Sequence, residues 1–217
     1  MESLSTPSLR VWGLPLGPLD TNCWVLACQA TGQALVVDCA DEPSMILRLA
    51  EAERLSIVGL VVTHWHADHI GGMSELRRLT RAPIGIHEAD ANEAVRRQLA
   101  AIVFLGTVPE PVSADRLLRD GDDLAVGQVA LRVLHTPGHS EGGICLVGGG
   151  VLVSGDTLFA GSVGRTDLPG GDWGELERSL LELLAPLDPT LVVLPGHGPS
   201  TTLGAELAAN PYLARTR

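Results

Sequence analysis

The chain contains no lysine: all 15 of its basic residues are arginine. That absence excludes a catalytic lysine, a Schiff base and a lysine clamp on phosphate. Positive charge is scarce as well, the formal balance at pH 7 being −11. Nucleic-acid binding depends on clustered cations that displace counterions, so no nucleic-acid partner is expected. Cysteine is limited to four residues, and Cys39 and Cys145 show no metal-type spacing. Cys23 and Cys28 lie five apart and would face opposite sides of one strand. In a chain with no visible secretory signal, all four are expected to be reduced and buried or incidental. Long apolar runs are missing: the most suspicious stretch, Gly142 to Ser154, is too short for a bilayer and is broken by Gly148-Gly149-Gly150. Met1 to Ser5 has no basic region leading into an apolar core, so a cytoplasmic location without a membrane partner is expected. Low-complexity linkers and fixed-period repeats are absent too. What remains, 217 residues with 45% hydrophobic content and a mean hydropathy of +0.22, fits one globular domain over 1–217.

Strand signals come first, at Ser8 to Leu14, Asn22 to Cys28 and Ala34 to Asp38, rich in Val, Leu or Trp and separated by turn residues. A meander is the simplest arrangement. Asp41-Glu42-Pro43 opens a helix with Met45, Leu49 and Ala52 at helical spacing, and Ile57 to Val62 has the doubly apolar character of an interior strand. Gly71-Gly72 leads into a short helix through Glu75, Leu76 and Leu79; a strand near Ile84-Ile86 and a helix from about Glu88 to Ala101 follow. The pattern returns to strands at Arg116 to Arg119, Asp123 to Val126, Val129 to His135, Ile144 to Val147 and Val151 to Ser154. Asp172 is placed to cap a helix with Glu175 returning the bond, and Leu176, Leu180, Leu183 and Leu184 form its inner stripe. A last strand, Leu191 to Leu194, precedes a helix near Leu203 to Ala209. Two β-rich halves, each flanked by helices, predict an α+β fold with two sheets face to face and helices outside, a four-layer αββα sandwich.

Against these scarcities stands histidine. Six of the seven lie in contexts suited to metal, and His64, His66, Asp68 and His69 fall in one short stretch, Thr63-His64-Trp65-His66-Ala67-Asp68-His69. In an extended segment His64 and His66 point to one side and suit one ion; Asp68 and His69, at a tight turn, project toward a second. Three more candidates follow apolar runs and are bracketed by small residues: His139 in Pro137-Gly138-His139-Ser140, Asp156 in Ser154-Gly155-Asp156-Thr157, and His197 in Pro195-Gly196-His197-Gly198. His135 reads as packing or support at a strand end, and His87 as a surface or capping residue. Asp38, closing a Val-rich strand, reads equally as an acceptor for a ligand imidazole and as a turn cap.

Taken together, these residues resemble the metallo-β-lactamase superfamily over nearly the whole chain. The resemblance implies His64, His66 and His139 on one metal, Asp68, His69 and His197 on a second, and Asp156 bridging both. Two divalent ions are then expected, zinc first, with iron or manganese as alternatives, and catalysis is expected to rest most directly on Asp68, His64, His66 and Asp156. Within the superfamily, Gly155 to Phe159, Gly164 to Asp172, and Pro195 to Thr202 followed by Glu206 and Asn210-Pro211 resemble glyoxalase II (hydroxyacylglutathione hydrolase) and its short bacterial relatives. Arg165 and Asp167 read as loop-ordering or substrate-touching residues, or as a purely structural ion pair.

The implied chemistry is hydrolysis of a small-molecule thioester of the S-lactoylglutathione type by a hydroxide bridging the two metals. Two carboxylates and one hydroxide against two divalent cations leave about one net positive charge, which favours an acyl oxyanion. A thiol, with a pKa of ~8.5, leaves with little protonation. Full-length glyoxalase II enzymes hold glutathione partly with basic residues of a C-terminal extension. This chain has little sequence after Tyr212 and no lysine, so a related thiol ester, or broad thioesterase or lactonase activity, stands beside the first reading. The runner-up is a persulfide dioxygenase using one Fe(II) on His64, His139 and Asp156. The β-lactamase reading is weaker, because the common subclass places Cys where Asp156 stands.

Overall fold

The computed structural model describes residues 1–92 and 110–213. Two sheets form its centre. The first runs β1 (Glu2–Ser5), β2 (Leu9–Leu16), β3 (Thr21–Cys28), β4 (Gln33–Val37), β5 (Ser56–Val61), β6 (Ile84–His87) and β7 (Arg116–Leu118), in that spatial order. Its first four strands form an antiparallel meander; β4 to β7 pair in parallel. Parallel neighbours need crossovers, supplied by α1 (Pro43–Glu53) between β4 and β5, and by α2 (Ala67–Ile70) and α3 (Met73–Thr80) between β5 and β6. α4 (Glu88–Ala91) follows β6. The helix expected from Glu88 to Ala101 is described only over this first turn, and residues 93–101 lie outside the described part.

The second sheet contains β8 (Asp123–Val126), β9 (Val129–His135), β10 (Ile144–Gly148), β11 (Val151–Gly155), β14 (Val192–Pro195) and β15 (Thr201–Thr202), in the spatial order β15-β14-β11-β10-β9-β8. A small hairpin, β12 (Leu158–Phe159) and β13 (Ser162–Val163), follows β11; α5 (Trp173–Arg178) and α6 (Leu203–Ala209) cover the outer face.

β3 explains the layering. Every residue from Thr21 to Cys28 is buried, yet the side chains still divide by the period of two that the pleat imposes. Cys23, Val25 and Ala27 join a core with Ile46, Leu49, Met73 and Leu76 of α1 and α3. Trp24, Leu26 and Cys28 join the core between the sheets, with Leu146, Val153 and Leu194. Cys145, Leu152 and Val193 face the other way, onto Leu176, Leu180 and Leu203. Three cores separate four layers, in the order helix, sheet, sheet, helix. All four cysteines are buried and free, with Cys23 and Cys28 on opposite faces as their spacing predicts.

Some details differ from expectation. β1 was not expected: Glu2-Ser3-Leu4-Ser5 offers one apolar residue, and pairing with β2 supplies what its side chains do not. In α1, Ile46, Leu49 and Ala50 face inward while Met45 is exposed. Asp172 caps α5 by accepting from the Glu175 backbone N–H at 2.9 Å, whereas the Glu175 side chain turns to Arg178. Leu183 does not join the inner stripe. A π-helical turn over Ser179–Leu184, with Ala185 N–H donating to Leu180 O, widens the spacing and keeps Leu176, Leu180 and Leu184 buried while Leu183 turns outward. Among the described residues, no helix is long and apolar enough to cross a membrane.

Candidate metal centre

All seven sequence-predicted ligand residues meet where strands of both sheets end. His64 and His66 follow β5, and His66 adopts an extended conformation (φ −61°, ψ 143°) at the start of α2, which carries Asp68 and His69. His139 lies in the turn after β9, Asp156 directly follows β11, and His197 follows β14. Their donor atoms fall into overlapping groups: His64, His66 and His139; His64, His69 and Asp156; and Asp68, His69 and His197, with separations inside each group of no more than 4.8 Å. Asp156 touches both sides. Its Oδ2 is 3.5 Å from His139 Nε2 and 3.7 Å from His197 Nε2, and its Oδ1 is 3.3 Å from His69 Nε2. Asp68 Oδ2 lies 3.2 Å from His197 Nε2.

Hydrogen bonds behind the rings determine which nitrogen faces inward. His139 Nδ1 donates to Arg165 O at 2.8 Å, and His69 Nδ1 to Asp38 Oδ2 at 2.8 Å. The Thr63 hydroxyl gives its proton to Asp38 Oδ2 at 2.7 Å, so its oxygen accepts from His64 Nδ1 at 3.1 Å. With Nδ1 protonated in each of the three rings, the Nε2 lone pairs face the centre. His66 is reversed, presenting Nδ1. As a result His139 Nε2 stands 3.2 Å from His64 Nε2 and 2.8 Å from His66 Nδ1. The facing Nε2 lone pairs of His64 and His139 repel unless a cation lies between them, and nitrogens bound tetrahedrally to zinc at 2.0–2.1 Å are about 3.3 Å apart. His66 Nε2, His69 Nε2 and Asp156 Oδ1 are also buried without a hydrogen-bond partner, an expense of ~1–3 kcal/mol each that a cation at the last two would relieve. The donor set fits a pair of metal ions.

The charges agree. Burial, aided by neighbouring imidazoles, holds His64 well below the ordinary histidine value and pushes His66 down to about 3; burial likewise lowers His139. The first three imidazoles are therefore neutral, the form that binds metal. In the second group burial opposes charge but loses. Asp156, Asp38 and Asp68 raise His69 well above its ordinary value, and the hydrogen bond to Asp68 together with Asp156 raises His197. Burial would raise Asp68 and Asp156, but His69 and His197 with their hydrogen bonds, and His139 beside Asp156, together outweigh it, and both lie below the usual carboxylate range. Clustered carboxylates there favour positive charge between them.

Several supports were not evident from sequence. The Asn22 side chain donates to Pro195 O at 3.0 Å and Gly198 O at 2.8 Å, and Trp24 Nε1 donates to Pro195 O at 2.9 Å, so β3 holds the His197 turn. Thr21 Oγ1 donates to Asp68 Oδ2 at 3.3 Å. A Cβ on Gly196 would stand 2.2 Å from Asp156 Oδ1 and 2.7 Å from His69 Cε1, so only glycine lets that turn approach. Glu206 and Asn210 brace the β12–β13 hairpin: Gly161 N–H donates to Glu206 Oε2 at 2.8 Å, and Asn210 Nδ2 to Ser162 O at 3.1 Å. That hairpin brings the Phe159 ring centroid to 6.1 Å from that of His197. Arg165 and Asp167 form an exposed two-bond pair at 2.7 Å each, within the segment whose Arg165 carbonyl holds His139. His87 and His135 stack on one another outside the donor groups, with centroids 4.0 Å apart. His87 caps α4, as one sequence reading allows, but is buried rather than on the surface.

Residues 16–197 match the family model described as the metallo-beta-lactamase superfamily. The probable metallo-hydrolase YqgX of Bacillus subtilis is 34% identical over 203 residues, 92% of this chain and 95% of that protein. Hydroxyacylglutathione hydrolase GloC of Haemophilus influenzae is 30% identical over 205 residues, 92% of this chain and 96% of that one. Among solved structures, BLEG-1 B3 metallo-beta-lactamase superposes with a TM-score of 0.88 at 33% identity, covering 94% of this chain and 99% of that one. TTHA1623 in a di-iron-bound form gives 0.85 at 37%, covering 93% and 100%. ETHE1 from Myxococcus xanthus gives 0.81 at 27%, covering 95% and 85%.

Proposed function

The chain belongs to the metallo-beta-lactamase superfamily, and on that premise we propose that it is a two-metal hydrolase acting on a thioester of the S-lactoylglutathione type. The observation that carries this reading is the pair of three-donor groups meeting at Asp156. His64, His66 and His139 would hold the first ion and Asp68, His69 and His197 the second, with Asp156 within reach of both groups. Zinc is the first choice, with iron or manganese as alternatives.

When bound, the two cations supply Lewis acidity, making a nucleophile of water near neutral pH and offsetting charge on an acyl oxyanion. The chain's own groups do the rest. Asp38, Thr63 and the Arg165 carbonyl fix the tautomers of His69, His64 and His139. Asp68, whose carboxyl is held below the usual carboxylate range and so stays an anion, would offer Oδ2 to the second ion from the more open side of the centre, its side chain 18% exposed against 10% for Asp156. His197, at 30% exposure, marks the open side through which substrate enters. The Phe159 ring walls that side. A thiolate leaves without a donor because its conjugate acid has a pKa of ~8.5, whereas an amide nitrogen must be protonated. Thioester cleavage therefore fits this residue set better than β-lactam cleavage, and the likeness to GloC supports it.

The second reading, an Fe(II) persulfide dioxygenase on His64, His139 and Asp156, draws on the likeness to ETHE1. It leaves Asp68, His69 and His197 without a task. The test is to purify the chain, measure metal stoichiometry, and assay S-lactoylglutathione hydrolysis before and after chelation. Two ions per chain with chelator-sensitive hydrolysis is the expected result. One iron per chain with oxygen uptake on glutathione persulfide would replace it with the second reading.

A further inference from the structure

Asp90 is completely buried, yet it belongs to no donor group and no step described above uses it. Among the described residues, it takes bonds from two separate segments. Its Oδ2 accepts from the Trp65 backbone N–H at 3.1 Å and from Ser140 Oγ at 2.8 Å; its Oδ1 accepts from the Gly142 backbone N–H at 2.6 Å. Trp65 lies between His64 and His66, and Ser140 directly follows His139. The carboxylate thus ties together the two stretches of chain that carry the first imidazole group, and none of these bonds goes to the segments carrying His197 or Asp156. The fit is close: a Cβ on Gly142 would stand 2.7 Å from Asp90 Oδ1, so the backbone lies directly against the carboxylate. The helical turn bearing Asp90 is capped by His87, whose ring stacks on His135 at the end of β9.

We infer that Asp90 is a positioning residue for the first metal ion, holding the segment of His64 and His66 in register with that of His139. Burial raises its carboxyl to about 6, so keeping it ionised at neutral pH opposes folding; a group retained at such a cost, with three donors turned to it, points to a role in geometry. The inference rests on the two-ion reading and is separable from it. An amide at this position presents N–H where one of the donors now points, breaking the tie without changing volume.

The experiment titrates the full-length metal-free chain with cobalt(II) alone and follows the ligand-field bands, for wild type, Asp90→Asn and Ser140→Ala. Asp90→Asn is expected to weaken the first cobalt ion about 10- to 100-fold, the range typical for groups supporting metal ligands. The second ion should keep its wild-type affinity, and the bands of the first site should change. Ser140→Ala, which removes one bond of the three, should show a smaller loss in the same direction and reports even if Asp90→Asn does not fold. Two ions bound with wild-type affinity and spectrum in the folded variants, whatever their melting temperatures, would overturn the inference. A wild-type chain that takes up no cobalt would overturn the two-ion reading and this assignment with it.

Discussion

His69 Nδ1 lies 2.8 Å from Asp38 Oδ2, and this contact turns the other ring nitrogen toward the centre. Asp38 is itself held by Thr63, whose backbone N–H donates to Oδ1 at 2.8 Å and whose hydroxyl donates to Oδ2 at 2.7 Å. Replacing Asp38 by Ala removes the acceptor that selects the His69 tautomer and the anion that raises its basicity. The second metal ion should bind about 10- to 100-fold more weakly, measured by competition with a chromophoric chelator. Unchanged affinity would show that the tautomer is set elsewhere.

Gly196→Ala leaves every proposed ligand in place but puts a methyl group against Asp156 Oδ1 and His69 Cε1, at 2.2 and 2.7 Å in the present geometry. Neither neighbour is free to retreat, since His69 is pinned by Asp38 and Asp156 follows directly from β11. Metal stoichiometry should fall below that of wild type by elemental analysis. Full occupancy would mean that the turn after β14 yields more readily than its packing indicates.

His66→Ala and Asp156→Ala should each abolish turnover while leaving the far-UV circular dichroism of the metal-free protein unchanged. Their clearest signature is in linkage. Saturating metal stabilises a folded binder by about 2.7 kcal/mol at a hundredfold excess over Kd, and the rise in Tm on adding metal should shrink in both variants. Wild-type turnover in either one would falsify the assignment of the centre.

The titration of Asp90 gives a pH prediction of definite sign. Burial raises its folded pKa from 3.8 to about 6, so its stabilising contribution is complete below pH ~4 and is lost as pH climbs through ~6. At 1.36 kcal/mol per unit, the change amounts to ~3 kcal/mol. Denaturant titrations of chelated protein should therefore show wild type losing about that much stability relative to Asp90→Asn between pH 4 and pH 7. A difference independent of pH would contradict the burial argument.

The candidate centre was readable to the extent that its chemistry is local. His64, His66, Asp68 and His69 announce themselves in one stretch, and His139, Asp156 and His197 each follow an apolar strand in a Gly-containing turn. The sandwich followed from the strand and helix signals, since even a doubly buried strand such as β3, which shows no alternation, reads as a short run rich in Val, Leu and Trp between turn residues. What escaped notice depends on distant contacts. Asp90 sits in Glu88-Ala89-Asp90, which reads as the solvated start of a helix; its burial comes from Ser140 and Gly142, 50 and 52 residues away. Asp38 could be read two ways until His69 was placed beside it. The outward turn of Leu183 reflects a backbone choice, one π-helical turn, to which the leucine pattern is blind. β12, β13 and β15 are two residues each, too short to leave a periodic signal.

The centre straddles the seam between the two sheets. His64 and His66 come from one side of the seam and His139 from the other; Asp68 and His69 come from one side and His197 from the other. Each ion would thus act as a rivet driven through both plates, its grip lost as soon as they part. Metal release should then report separation of the halves, and the free energy of coordination counts toward keeping the sandwich shut.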